Sequence, residues 1–325
     1  MSLRKLLLPL AVLLTAAALA ACGDDGAGGR ATLAPGADVF SCAAAPLAEA
    51  PNASAFPLQL DADDGEALTL DAPPAAVASL SAGHTEVLYA IGAGDQVAAV
   101  DNTSDCPAVA DGLPHVDAFN PSVEAIVALN PDLVLLFFDP SGLASDLRQL
   151  GVPVLFLETP DSVDSALGQI TLLGRATGHE SQAAALVRSM QERIDAVERS
   201  VSGARAPSVY HEIDNTYYTA GPGSFVGDLY DKLHARNIAA STGEAFPQLS
   251  AEAIIAASPD VIILADEDAG ESPDTVAARP GWSQVNAVVN QRVYSLDPDI
   301  ASRPGPRLVV ALETLARFLY PERFP

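Results

Sequence analysis

Apolar residues recur along this chain in two rhythms. Runs that are apolar almost throughout appear at 76–81 (AVASLS), 133–138 (LVLLFF), 153–158 (PVLFLE) and 261–264 (VIIL). Such runs read as strands covered on both faces. Between them apolar residues return every three or four positions, at 163, 167, 170 and 173 and again at 183, 187, 190, 194 and 197. That period predicts helices over 162–177 and 180–201, stopped by Gly178 and Gly203. The second would be about 33 Å long. Further strands are expected at 96–101, 207–213 and 292–296, and further helices at 85–92, 143–150, 225–235, from 279 onward and over 306–319. Residues 56–70 read as a hairpin turning at Asp-Ala-Asp-Asp-Gly. Strands alternating with helices predict parallel sheets.

One stretch occurs twice. VEAIVALNPDLVLL at 123–136 and AEAIIAASPDVIIL at 251–264 share seven of fourteen positions, including Glu124/Glu252, Pro131/Pro259 and Asp132/Asp260. A spacing of 128 residues is too long for a solenoid repeat. It predicts two α/β lobes of similar design, with a site between them. Glu124 and Glu252 are acidic where the fold does not need it.

Composition narrows the class. The 325 residues are 49% hydrophobic and 18% charged, with a net charge of −25. Nucleic acid and anionic membrane surfaces are poor partners for such a chain. Residues 1–21 carry Arg4 and Lys5, then an apolar run, then Leu19-Ala20-Ala21 before Cys22. This reads as a secretory signal, too short for a membrane-spanning helix. Residues 22–54 lack periodicity and read as a flexible tether. Outside the cytoplasm Cys42 and Cys106 stand either as a disulfide, favoured here, or as two free thiols. Closing that loop is worth on the order of 4 kcal/mol in the entropy model.

Chemistry-bearing motifs are missing. The chain has no Gly-Lys-Ser/Thr phosphate loop, no His-Glu-x-x-His, no Cys-x-x-Cys and no Gly-x-Ser-x-Gly elbow. Its five histidines show no zinc spacing. Neither an enzyme nor a protein with a resident cofactor or metal is expected.

The segments SLS…TEVLYAIGAGDQV, SVEAIVALNPDLVLL, YYTAGPGSF, FPQLSAEAIIAASPDVIIL, RPGW, RVYSLD and RPGPR follow in this order. Together they closely resemble the periplasmic binding protein family for iron chelates and vitamin B12, over residues 55–321. The resemblance implies an α/β fold of two lobes with parallel-type sheets joined by one long rigid helix. The lobes would span 55–179 and 204–325 and the helix 180–203. It implies an extracytoplasmic monomer that captures a small-molecule chelate and delivers it to the permease dimer of an ABC importer. Leu19 to Cys22 resembles the bacterial lipobox, which implies lipidation of Cys22 and attachment to the cell membrane.

Site residues follow from the same resemblance. Glu124 and Glu252 are implied in permease docking; the plainer account is that each favours the positive end of its helix. His84, Phe119, Phe137, Tyr218, Phe246, Asp299 and Arg303 are implied at the ligand cleft. Phe137 also fits a core position, and His84 a cap on a helix beginning at Thr85. Arg303 serves either an anionic ligand group or Asp299. Aromatic walls with few polar groups suit a large, flat chelate. A cobalamin-type corrinoid comes first, then a ferric siderophore, then haem with His84 and Tyr218 as axial ligands. A receptor for bare Zn or Mn ions and a lipid-tethered enzyme are the readings from other classes.

Overall fold

The structure is a computed structural model, and it describes residues 40–42, 55–139 and 141–324. The leader, Cys22 and most of the tether lie outside the described residues.

A hairpin of β1 (Leu58–Asp61) and β2 (Ala67–Leu70) comes first. Then follow β3 (Val77–Leu80), α1 (Ala82–Ala90), β4 (Val97–Asp101), β5 (His115–Val116), α2 (Val123–Ala128), β6 (Leu133–Leu136), α3 (Leu143–Gln149) and β7 (Val154–Phe156). Among the described residues these strands form a parallel five-stranded sheet in the order β5-β4-β3-β6-β7. Two long helices come next, α4 (Val163–Thr177) and α5 (Glu180–Val201). Then the strand–helix alternation resumes with β8 (Ser208–Glu212), α6 (Phe225–Lys232), β9 (Arg236–Asn237), α7 (Ala251–Ala257), β10 (Val261–Leu264), α8 (Pro273–Ala277), α9 (Asn286–Val289) and β11 (Val293–Ser295). These strands form a second parallel sheet, in the order β11-β10-β8-β9. The chain ends with α10 (Pro298–Ser302) and α11 (Leu308–Leu319).

Apolar-throughout strands arise because each sheet has two covered faces. In β6, Leu133 and Leu135 face the large central core, while Val134 and Leu136 face a second core under α2 and α3. In β10, Val261 and Ile263 join the same central core, while Ile262 and Leu264 meet Trp282 and Ile254 on the far side. The central core contains Leu88, Ile170, Leu186, Met190 and Leu312, so α1, α4, α5 and α11 form a layer common to both sheets. Gly174 lets α5 fold back tightly on α4, since a Cβ there would lie 2.3 Å from that of Ala183.

Each repeat copy uses one local device. Ser122 and Ser250 cap α2 and α7 through bonds from the N–H groups of Ala125 and Ala253. The Pro-Asp aspartates then anchor the neighbouring strand. Asp132 Oδ2 accepts from the N–H of Ala75 and Ala76 at 2.9 and 3.0 Å, and Asp260 Oδ2 accepts from the N–H and hydroxyl of Ser208 at 2.9 and 3.0 Å.

Some local expectations change. The helix after β3 starts at Ala82 and is capped by Ser81, not near Thr85, so His84 lies in its first turn. Arg279-Pro280-Gly281-Trp282 forms a turn ahead of the short α9, because Gly281 sits at φ 83°. The expected loop carrying Asp299 is helical as α10, capped by Asp297. Cys42 and Cys106 form a disulfide with Cα atoms 5.0 Å apart. No described helix is long and apolar enough to cross a membrane.

Candidate ligand-binding site

The carboxyl ends of the parallel strands put loops on one side of each sheet, and a cavity of about 260 Å³ opens there. Ser81 to His84, after β3, form one wall. Thr103 follows β4, Phe137 follows β6, and Thr159 and Pro160 follow β7. The opposite wall is Asp299, Ser302, Arg303 and Pro304, from α10 and its C-terminal end. Ligand crevices beyond the carboxyl ends of parallel strands are a general property of open α/β sheets.

Four of the seven cleft residues named from the sequence meet at this cavity: His84, Phe137, Asp299 and Arg303. Phe119 does not line it, but its ring meets Phe137 edge-on at 6.1 Å and Phe138 at 5.9 Å. Tyr218 and Phe246 lie elsewhere, on a short antiparallel pairing in which Tyr218 opposes Gln248 and Thr219 N–H donates to Pro247 O. The alternation of that pairing puts both rings on one face, where they are 41% and 58% exposed. Tyr217 turns the other way and stacks on Trp282 at 5.9 Å. Gly221 is required here, because a Cβ would lie 2.1 Å from Glu244 O.

The arginines at the cavity are already paired. Arg303 contacts Asp299 at 2.6 Å, Asp105 at 2.7 Å and Glu86 at 3.5 Å. Glu86 also accepts two bonds from Arg307, at 2.7 and 3.0 Å. Three carboxylates therefore surround two guanidiniums. Burial raises the Glu86 carboxyl above its usual range even against both arginines. Burial also raises Asp299, more than Arg303 lowers it. For Asp105, Arg303 more than reverses the effect of burial and holds the carboxyl low. Sequence reasoning missed Glu86, Asp105 and Arg307. Glu86 and Arg307 each stood inside a quoted segment, TEVL and RPGPR, but 221 residues separate them.

His84 is buried. Gln169 donates its amide to Glu158 O at 2.7 Å, which turns its Oε1 toward His84 Nε2 at 3.1 Å. His84 therefore donates from Nε2, and its Nδ1 is sealed from solvent with no partner among the described residues. Burial lowers its pKa, against the pull of Gln169, Asp63 and Asp101. Among the described residues no group of three or more His, Cys, Asp or Glu is placed to hold a metal ion.

Residues 77–300 match the model of the periplasmic binding protein family. The chain belongs to that family. Membership makes it a binding protein and not an enzyme. A Bacillus subtilis relative named as an uncharacterized ABC transporter substrate-binding lipoprotein, YvrC, is 33% identical over 279 residues, 83% of this chain and 87% of its own. A cobalamin-binding protein of Halobacterium salinarum is 29% identical over 283 residues, 83% and 76% of the two chains. Among solved structures, the periplasmic heme-binding protein RhuT from Roseiflexus superposes with a TM-score of 0.69 at 27% identity, over 76% of this chain and 98% of that one.

The two glutamates proposed from the repeat are both exposed in the first turns of α2 and α7. Glu124 also accepts from the Ser122 hydroxyl at 3.1 Å. Its own backbone N–H and that hydroxyl hold its carboxyl below the usual range.

Proposed function

We propose that this chain is the extracytoplasmic substrate-binding protein of an ABC importer and that its ligand is a cobalamin-type corrinoid. The observation that carries the ligand class is the saturation of Arg303. It is the one Arg or Lys lining the cavity among the described residues, and three carboxylates already hold it. An anionic siderophore or the propionates of haem would meet no free cation there, and Asp299 would repel them. A corrinoid rim carries neutral amides, whose N–H groups suit carboxylate acceptors. His84 argues the same way, because Nε2 is engaged and Nδ1 is sealed, so neither nitrogen faces a haem iron. Phe137, with Phe119 behind it, offers an apolar face for a flat macrocycle. The cavity alone is too small for a whole corrinoid, so the exposed Tyr218 and Phe246 are assigned to its outer parts. The name of the Halobacterium relative agrees with this reading.

The same proposal takes Cys22 as the lipidated residue of a tethered monomer, with cargo passed to a permease dimer. Glu124 and Glu252 are its docking contacts. Two exposed carboxylates at equivalent places in the repeat suit a two-fold partner.

Incubating the purified chain with cyanocobalamin, haem or a ferric hydroxamate, desalting, and recording absorption tests the ligand. Retained corrinoid absorption is expected. A retained Soret band or ferric chelate without retained corrinoid overturns it.

A further inference from the structure

Arg303 has three carboxylate partners, and they are not equivalent. Asp299 lies four residues earlier, in α10, and Arg303 is the residue that ends that helix, so this pair is local. Glu86 stands 3.5 Å away and is already committed to Arg307 through two bonds. Asp105 is left as the one close contact to Arg303, at 2.7 Å, from the chain of the first sheet. Yet the Asp105 side chain is 60% exposed, and among the described residues Arg303 is its one ion-pair partner. Its position has to come from the backbone.

That backbone is anchored on both sides. Upstream, the buried Asp101 accepts from the Thr103 N–H and hydroxyl and from the Ser104 hydroxyl, and Ser104 Oγ meets Thr85 Oγ1 on α1 at 3.0 Å. Downstream, the residue next to Asp105 is Cys106, bonded to Cys42. Two residues before Cys42, Phe40 is buried beneath the Arg193 guanidinium of α5, at 4.3 Å. Arg193 in turn donates two bonds of 2.8 Å to Glu313 of α11, the helix that follows Arg303 and Arg307. The contacts close a ring: Asp105, Arg303, α11, Glu313, Arg193, Phe40, Cys42, Cys106 and back to Asp105. The link between Cys42 and Cys106 is a disulfide.

We propose that Asp105 is the positioning residue that holds Arg303 at the cavity wall, and that the Cys42–Cys106 disulfide fixes Asp105 for this task. The segment at the end of the tether thereby tunes a site it does not line. A half-exposed ion pair contributes modestly, so each loss is expected to weaken binding about threefold to fivefold.

The ligand arm of the test rests on the corrinoid reading; a second arm does not. Cyanocobalamin affinity is measured for the parent, for D105N, for C42S/C106S and for all three substitutions together. The expected result is a similar loss in each variant with no further loss on combination, because both act through Arg303. Asp105→Glu, which keeps the charge, is expected to recover most of the affinity. Full additivity, or no recovery, overturns the assignment. In the second arm, amide hydrogen exchange over residues 299–303 is followed without ligand. Faster exchange there in D105N, whose disulfide is intact, and in C42S/C106S is expected. Parent-like exchange in both overturns the positioning role. A parent that fails to retain cyanocobalamin sinks the corrinoid reading only, since the exchange arm still decides.

Discussion

The two repeat copies have the same frame and opposite endings. Both run from a serine-capped helix through Pro-Asp into a strand at an interior position of its sheet. After β6 the chain presents Phe137 and Phe138, one lining the cavity and the other 43% exposed. After β10 it presents Asp266, which is buried with neither carboxyl oxygen paired among the described residues. Around Asp266 lies a closed charge cluster. Arg279 donates to both oxygens of the fully buried Glu212 at 2.5 and 2.6 Å and to Glu271 at 2.7 Å, and it stacks over Trp282 at 4.8 Å. A repeat thus fixes a backbone, while the residue just past the strand sets what the loop does. One copy leads to the cavity wall and the other to a packed ionic interior.

The largest break in this comparison is expected at Arg279. Arg279→Met leaves Glu212 charged and buried beside Glu271, and should cost about 3–5 kcal/mol in urea unfolding. A loss under about 1 kcal/mol would make the cluster no stronger than a surface pair.

Asp266 should show next, through pH. Burial raises its carboxyl from 3.8 to about 7, and Glu212 and Glu271 push the same way, with Arg279 opposing. A raised carboxyl means that the folded chain keeps a proton the unfolded chain has released. Stability therefore falls as pH rises between 3.8 and about 7, then levels off. Asp266→Asn should remove that slope and stabilise the protein by about 1–3 kcal/mol at pH 8. An unchanged slope in the variant would locate the titration elsewhere.

The repeat's aspartates sharpen the comparison further. Asp260 is half-buried and serves both Ser208 groups with Arg205 and Arg236 at 3.8 Å, whereas Asp132 is exposed and serves two N–H groups. Asp260→Ala should cost about 1–2 kcal/mol and Asp132→Ala about half of that. The reverse order in thermal melts would show that burial and the extra partners of Asp260 do not make it the stronger anchor. Acid should weaken the Asp260 anchor through protonation. Burial pushes this carboxyl up, but Ser208 and the two arginines hold it below the ordinary range, so its contribution is lost only as pH falls through that lowered value.

The smallest effect on the isolated protein is expected at the exposed pair. Glu124→Ala with Glu252→Ala should leave the melting temperature and cyanocobalamin retention unchanged while reducing permease-dependent uptake. Unchanged uptake would remove the docking role.

Most of the frame was legible in the chain because it is local. Strand period, helix period and the Pro-Asp turns each act over a few residues. The short strands β5 and β9 and the helices α8 and α10 were not legible, since two to five residues carry too little periodicity. The site was legible only in part. His84, Phe137, Asp299 and Arg303 were implied by the family resemblance and share a cavity. Tyr218 and Phe246 came from the same resemblance but do not line that cavity, and both are exposed.

By itself, the sequence determined the alternation of strands and helices, the duplicated frame, the acidity of the chain and the family to which it belongs. These depend on spacing and residue type, which a linear string records. Only the tertiary structure decided that Arg303 is not a free cation, that Nε2 of His84 meets Gln169, and that Cys42 reaches the loop beside the cavity. Each of those depends on which charges and lone pairs meet after chain closure over tens to hundreds of residues. No local pattern specifies such encounters.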